Sequence, residues 1–118
     1  MKDLSLMLFE MTNKTLILTQ QILNNAKEEN VDLVMNGLSD REKTILIIQQ
    51  IQDKISRDST PLKQQLLNES QRILDKIESL DVEIIQLLEG LKKNTNSEIA
   101  KIYKTKENFK GYNLNNLK

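Results

Sequence analysis

The chain has 118 residues, of which 38% are apolar and 29% charged, and its formal net charge at pH 7 is zero. This size and composition predict one folded domain with a hydrophobic core and exclude a disordered chain. Cysteine, histidine and tryptophan are absent, which excludes thiol catalysis, imidazole general-base catalysis, zinc fingers and the Glu-x-x-His type of di-iron bundle. The single proline and three glycines predict long uninterrupted helices.

The first two predicted helices are joined by a short polar link. From Leu4 to Ala26, apolar residues recur at spacings of three and four, which predicts an amphipathic helix over about residues 2–27. Asn30 is expected to cap a second helix over about residues 31–57. Asn36-Gly37 is a weak point in this helix, but the apolar spacing continues across it, so we expect one continuous helix.

The third helix is expected over about residues 61–93, because Thr60 can cap it and Pro61 fits a first helical turn. Its apolar face is predicted to centre on the heptad-spaced positions Leu66, Ser70, Ile73, Ile77, Leu80, Ile84, Leu87 and Leu91, widened by Leu67, Leu74 and Leu88. Gly90 and the polar residues after it interrupt the pattern. Ser97 could then cap a shorter fourth helix that ends near Gly111.

Together these elements predict an all-α fold. Short connections favour antiparallel neighbours, so we expect an antiparallel bundle of three long helices within residues 1–95. A C-terminal helix over residues 96–112, able to move, and a frayed tail over residues 113–118 complete the predicted organisation. The pattern leaves open whether the third and fourth helices are continuous.

The C-terminal segment differs from the rest in charge and in aromatic content. Residues 1–91 carry a net charge of −5 and residues 92–118 a net charge of +5, and three of the four aromatic residues, Tyr103, Phe109 and Tyr112, lie in the second part. Lysines near a helix C-terminus are stabilising by about 0.3–1 kcal/mol each, so a solvated basic end is one explanation. A regulatory or binding segment is the other.

The predicted helices carry more apolar surface than one buried face requires. On a helical wheel Leu6 and Ile17 point away from the buried face of the first helix, and the second contains the run Ile45-Leu46-Ile47-Ile48. Burial by the fourth helix or by a homodimer would explain this surplus. The alternative is a groove for a partner's amphipathic helix.

Little in the sequence indicates a catalytic site or a site for a cofactor or metal. Carboxylate pairs such as Glu28-Glu29 and Asp81 with Glu83 are expected at surface positions, and the three glycines are too isolated to form a phosphate-binding loop. We therefore expect no enzyme activity, no cofactor and no metal, and the acidic body argues against nucleic-acid binding. No apolar run approaches the about 20 residues of a membrane span, and the N-terminus lacks the features of a secretory signal, so we expect a cytoplasmic protein without membrane insertion.

Three stretches give the sequence a resemblance to a known family. They are residues 26–34 (AKEENVDLV), residues 38–45 (LSDREKTI), and residues 80–88 (LDVEIIQLL) followed by residues 104–112 (KTKENFKGY). In order and spacing, over nearly the whole chain, they resemble the flagellar export chaperones of the FliT family, with FlgN as the close second. The tail departs from the family at Thr105, Glu107 and Asn108, where family members are typically more basic.

The resemblance implies a chaperone that binds a C-terminal helical segment of an exported flagellar subunit and keeps it monomeric. The implied client is the filament cap protein, or the hook-filament junction proteins for an FlgN-type chaperone. Delivery to the type III export gate and its ATPase is implied as well, and some family members restrain a transcription regulator. A self-associating helical adaptor is the structural alternative.

The resemblance, together with the surplus apolar surface, gives two sets of candidate residues. The candidate client contacts lie on the second and third helices and are Ile45, Leu46, Ile47, Ile51, Leu67, Leu74 and Leu88. The candidate regulatory residues, on a last helix that can fold back over the client site, are Ile99, Ile102, Tyr103, Phe109 and Tyr112.

Overall fold

The computed structural model describes residues 3–57, 61–91 and 95–110, with side chains of the last range described as far as Thr105. Four helices occupy these residues: α1 (Leu4–Lys27), α2 (Val31–Arg57), α3 (Gln64–Glu89) and α4 (Asn96–Lys110). The described residues contain no strand, so the prediction of an all-α fold is confirmed. As expected, α2 continues through Gly37, and three long helices precede a shorter fourth.

The amino ends of α1 and α2 are capped by side chains. The Asp3 carboxylate accepts hydrogen bonds from the amides of Ser5 and Leu6 at the start of α1. The side-chain oxygen of Asn30 accepts from the Leu33 amide at 3.2 Å, which confirms the predicted cap of α2. Between the two helices Glu29 adopts a positive φ of 60°, a conformation that lets the chain reverse within three residues.

The third helix begins later than predicted, at Gln64, and Pro61 lies before it. The preceding residue, Lys63, is bound to the start of α1: its amide donates to the Ser5 hydroxyl at 3.0 Å, and its ammonium lies 3.3 Å from the Asp3 carboxylate. Because these contacts hold Lys63 in an extended conformation (ψ 104°), the helix can start only after it. Thr60, the predicted cap, lies outside the described residues.

The third and fourth helices are separate. α3 ends at Glu89 and α4 starts at Asn96. The residue that precedes α4 is therefore Thr95, two positions before the predicted cap Ser97. The Thr95 carbonyl accepts the Ile99 amide at 3.0 Å, and its hydroxyl donates to the Leu88 carbonyl at 3.0 Å. Thr95 therefore both opens α4 and attaches it to the end of α3. The predicted stop at Gly111 and the predicted frayed tail lie outside the described residues.

α2 and α3 are not direct neighbours, and a space separates them. α1 packs against both of these helices and so does α4, whereas no Cα atom of α2 lies within 8 Å of one of α3 among the described residues. α1 and α4 do not approach each other to that distance either. The two helices therefore cover opposite sides of the space between α2 and α3, and α4 covers only one end of its side.

The core consists of two apolar clusters. The cluster at the α4 end contains Ile22, Leu23, Ala26, Val34, Leu38, Ile84, Ile85, Leu88 and Ile102. The cluster at the other end contains Leu8, Ile48, Ile51, Ile55, Leu67, Leu74 and Ile77. Between them lies a layer of buried polar side chains, in which Thr15 and Thr44 share a hydrogen bond of 2.7 Å and Arg41 pairs with Asp81.

The buried face of α3 is rotated from the predicted one. The fully buried positions are Leu67, Ser70, Leu74, Ile77, Asp81, Ile84, Ile85 and Leu88. The predicted central residues Leu66, Ile73, Leu80 and Leu87 are only half-buried. The rotation brings the Asp81 carboxylate inside, and this is tolerable because a buried carboxylate there has a cationic partner on α2.

Candidate binding site

Most of the predicted client contacts are core residues. Ile45, Ile51, Leu67, Leu74 and Leu88 are all less than 9% exposed, so they stabilise the bundle. Contact of these five residues with a client stays a prediction. Only Leu46, which is 53% exposed, and Ile47, which is 40% exposed, present apolar surface to solvent.

The predicted regulatory residues divide according to burial. Ile102 is fully buried in the cluster at the α4 end, with Ile99 packed against that cluster, and Tyr103 is 52% exposed. Phe109 belongs to α4 by its backbone, but its side chain and all of Tyr112 lie outside the described residues.

The docking of α4 is polar as well as apolar. Ile102 is its one fully buried apolar side chain among residues 95–105, and Thr95 and Glu98 are buried beside it. One carboxylate oxygen of Glu98, Oε2, is buried without a hydrogen-bond partner. The Lys101 ammonium contacts the Ser39 hydroxyl at 3.4 Å, at the outer limit of a hydrogen bond. A buried carboxylate oxygen without a partner costs free energy, so the burial of Glu98 offsets part of the stabilisation that Ile102 provides.

A groove of about 510 Å³, open to solvent, runs between α2 and α4. Its lining residues are Leu38, Glu42, Ile45, Leu46, Lys101, Lys104 and Thr105. The apolar side chains come from α2 and the two ammonium groups come from α4. Leu46 is the exposed member of the apolar set, so this groove contains one of the two predicted client contacts that remain accessible.

A second groove, of about 540 Å³, runs between α3 and α4. Its lining residues are Glu78, Asp81, Val82, Ile85, Gln86, Glu89, Ile102 and Tyr103. The two grooves lie on either side of α4, and α4 forms one wall of each. If α4 moved away, the surfaces of both grooves would merge into a single channel between α2 and α3. Its lining would include the apolar side chains of Leu38, Ile45 and Ile85 and the acidic ones of Glu42 and Glu89.

The buried ion pair between Arg41 and Asp81 spans this channel. Arg41 Nη1 lies 2.7 Å from Asp81 Oδ1 and also donates to the Thr19 hydroxyl at 3.1 Å. Arg41 is 1% exposed, and its Nε and Nη2 atoms have no hydrogen-bond partner. The guanidinium thus connects α1, α2 and α3, and it does so at the level along the bundle axis that α4 covers.

Asp81 is the residue that the sequence analysis misplaced, since it was expected at the surface. A signal for its burial exists in the sequence, because Asp81 is in phase with Ile77, Ile84 and Leu88 at spacings of four, three and seven. Arg41 has the same relation to the apolar positions of α2. Two opposite charges, each in phase with an apolar face, indicate a buried pair.

Burial raises the pKa of Asp81 above its ordinary value of 3.8, although the charge and the hydrogen bond of Arg41 act in the opposite direction. Between 3.8 and the raised pKa the folded chain holds a proton that the unfolded chain has lost, so stability falls as pH rises. We expect the free energy of unfolding of the wild type, relative to Asp81→Asn, to decrease with rising pH through this window. Urea unfolding of both proteins between pH 3 and 7 measures it, and a difference that grows with pH would contradict it.

Two absences hold within the described residues. None of the four helices combines the length and apolar character that crossing a bilayer requires. No group of three or more acidic side chains is placed to hold a metal ion in the part of the chain that the structure describes.

Comparison of the chain with protein-family models, curated proteins and solved structures finds no match.

Proposed function

We propose that this chain is a cytoplasmic flagellar export chaperone of the FliT type, which binds a C-terminal helical segment of the filament cap protein. In this proposal it keeps that subunit monomeric and delivers it to the export gate and its ATPase. Burial of apolar surface drives client binding, and no covalent chemistry is involved. The sequence resemblance supports the choice of client, and the arrangement of α4 supports the mode of binding.

The observation that carries the proposal is the way α4 packs on α2 and α3. Its described side chains contribute a single fully buried apolar residue, Ile102, and docking buries a Glu98 oxygen without a partner. A helix held in this way is a competitor that a better-fitting amphipathic helix can replace. The client would then occupy the channel between α2 and α3, with Leu46 at its rim.

We further propose that α2 runs antiparallel to α1 and α3, which are parallel to each other. Along α1 and α2, Thr15 pairs with Thr44 and Thr19 with Arg41, so residue numbers rise on one helix as they fall on the other. The start of α3 contacts the start of α1 through Lys63 and Ser5. α1 and α3 therefore point the same way, and α2 runs opposite to both.

Weakening the α4 contact should strengthen client binding. In Ile102→Ala, the loss of a fully buried side chain shifts the equilibrium toward undocked α4. Because only the undocked state can bind the client, the apparent dissociation constant for the client falls as the undocked fraction rises. We expect affinity for a peptide of the cap protein's C-terminal helix to increase by at least about threefold. Titration calorimetry with the full chain measures this.

Ile17→Ala is the matched control, because Ile17 is 52% exposed on α1 and its truncation should leave affinity unchanged. Equal affinity of Ile102→Ala and wild type would show that α4 does not cover the client site. Absence of binding by either protein would reject the chaperone proposal itself. Sedimentation of the wild type tests the adaptor alternative, since concentration-dependent dimers would favour it.

A further inference from the structure

The buried side chain of Arg41 uses only part of its hydrogen-bonding capacity. Its Nη1 atom donates to the Asp81 carboxylate at 2.7 Å and to the Thr19 hydroxyl at 3.1 Å. Its Nε and Nη2 atoms are buried and have no hydrogen-bond partner among the described residues. Both nitrogens carry N–H groups at every accessible pH, so donors of a permanent cation are left without an acceptor in the core.

The two unpartnered nitrogens form one edge of the planar guanidinium, which we call the free edge. Nε and Nη2 each direct an N–H group the same way, in the geometry that holds an acceptor group through parallel hydrogen bonds. Nη1 lies on the opposite side of the planar group, where it contacts Thr19 of α1. The free edge is therefore directed away from α1, toward the side of the space between α2 and α3 that α4 covers.

Docked α4 covers the free edge without pairing with it. Ile102, its fully buried side chain, is apolar, and the hydroxyl of half-buried Thr105 donates to the Lys101 carbonyl of its own helix at 3.1 Å. Buried donors without an acceptor cost free energy. A helix that occupies the channel in place of α4 and supplies an acceptor to Arg41 therefore has an advantage over α4.

The positive charge of Arg41 already has a counterpart. Its side chain is 1% exposed and that of its partner Asp81 is 6% exposed, so the two charges compensate each other inside the bundle. A second carboxylate at the free edge would add a buried negative charge without compensation, which is costly. The side-chain amide of glutamine or asparagine supplies a carbonyl oxygen that accepts hydrogen bonds and carries no charge.

We propose that Arg41 determines client specificity, and that its free edge binds the side-chain amide oxygen of a glutamine or asparagine on the apolar face of the client helix. This inference deepens the proposed function and rests on it, because a client reaches Arg41 only after α4 has undocked. A helix with a purely apolar face leaves the free edge unpaired, as α4 does. A helix with a carboxylate in that position places it close to Asp81.

The test uses the full chain and three labelled synthetic helices of about 18 residues, or about five turns, with leucines along one face. The central leucine is replaced by glutamine, glutamate or methionine, which have similar lengths. Fluorescence anisotropy at pH 7 should show binding of the glutamine helix at least about tenfold tighter than that of the glutamate helix. Equal affinities of these two helices would overturn the proposal.

Arg41→Lys removes the free edge and keeps a positive charge opposite Asp81. The affinity for the glutamine helix relative to the methionine helix should fall by at least about tenfold from its wild-type value. Arg72→Lys is the matched control, since the Arg72 side chain is 74% exposed and its replacement should leave this ratio unchanged. An unchanged ratio in Arg41→Lys would overturn the role of the free edge.

Asp81→Asn tests the charge argument separately, because asparagine keeps an acceptor for Nη1 but leaves the guanidinium without a counter-charge. The order of the two polar helices should reverse, with the glutamate helix bound at least about threefold tighter than the glutamine helix. A retained preference for glutamine would overturn the argument.

The cap-protein peptide separates this inference from the proposed function. If that peptide binds while the three synthetic helices bind equally, the chaperone proposal stands and the specificity of Arg41 is rejected. If neither that peptide nor any synthetic helix binds, both are rejected.

Discussion

Replacing Arg41 by methionine is expected to lower the free energy of unfolding by about 3–5 kcal/mol. The substitution keeps the unbranched aliphatic part of the buried side chain but removes the cation 2.7 Å from Asp81. The carboxylate is then left in the core without its partner, and the free energy needed to protonate it falls as the pH is lowered. Urea unfolding at pH 7 measures the change, and the loss should shrink as the pH approaches 4.

Two further proteins distinguish this cause from a general loss of packing. The double variant with Asp81→Leu should recover most of the loss, because well-packed apolar residues often replace a buried pair without cost. Arg72→Met is the matched control: Arg72 pairs with Glu69 at 2.6 Å, but its side chain is 74% exposed, so we expect a change below about 1 kcal/mol. A double variant as unstable as Arg41→Met would contradict this explanation.

Gly37→Ala is expected to destabilise the chain even though alanine is the better helix former. A Cβ atom at position 37 would lie 2.7 Å from Cγ1 of Ile22, which is fully buried on α1. Relief of this contact requires a change in the Ile22 rotamer or movement of α1 away from α2. Overpacking costs about 1–3 kcal/mol against a helix-propensity gain of about 1 kcal/mol, so we expect a net loss of up to about 2 kcal/mol by thermal or urea unfolding.

Gly90→Ala is the corresponding control, because its Cβ would meet the Leu87 carbonyl at 3.5 Å, an ordinary contact. We expect it to be neutral or to stabilise by about 0.4–1 kcal/mol. A double variant of Gly37→Ala with Ile22→Ala should be more stable than the two single effects predict, because the second change removes the atom that the new methyl group meets. Strict additivity would indicate that the two helices are not in close approach here.

The number of helices and their order could be predicted because spacing of apolar residues is a local property. The predicted ends of α1 and α2 agree with the structure within two residues, and the Asn30 cap is correct. The start of α3 could not be predicted, since it depends on contacts of Lys63 with Ser5 and Asp3, residues almost sixty positions away. No local signal contains that information.

The candidate site was predicted less well, for a different reason. Apolar composition alone does not tell which of several aliphatic residues on a helix face the core, and a rotation of α3 exchanged Leu80 for Asp81 on its buried face. The rotation depends on the partner that Arg41 provides on another helix. The exposure of Leu46 and Ile47 could be predicted only once the buried face of α2 was known.

The polar layer between the two apolar clusters has a consequence for how the helices align. Heptad repeats of leucine and isoleucine can pack in several alignments related by shifts of two turns, with similar burial in each. A shift of α3 by seven residues would place Asp81 at the height of Leu74 or Leu88, away from Arg41, and leave two buried charges apart. Such alignments are several kcal/mol less stable, so one ion pair selects a single arrangement from a repetitive sequence.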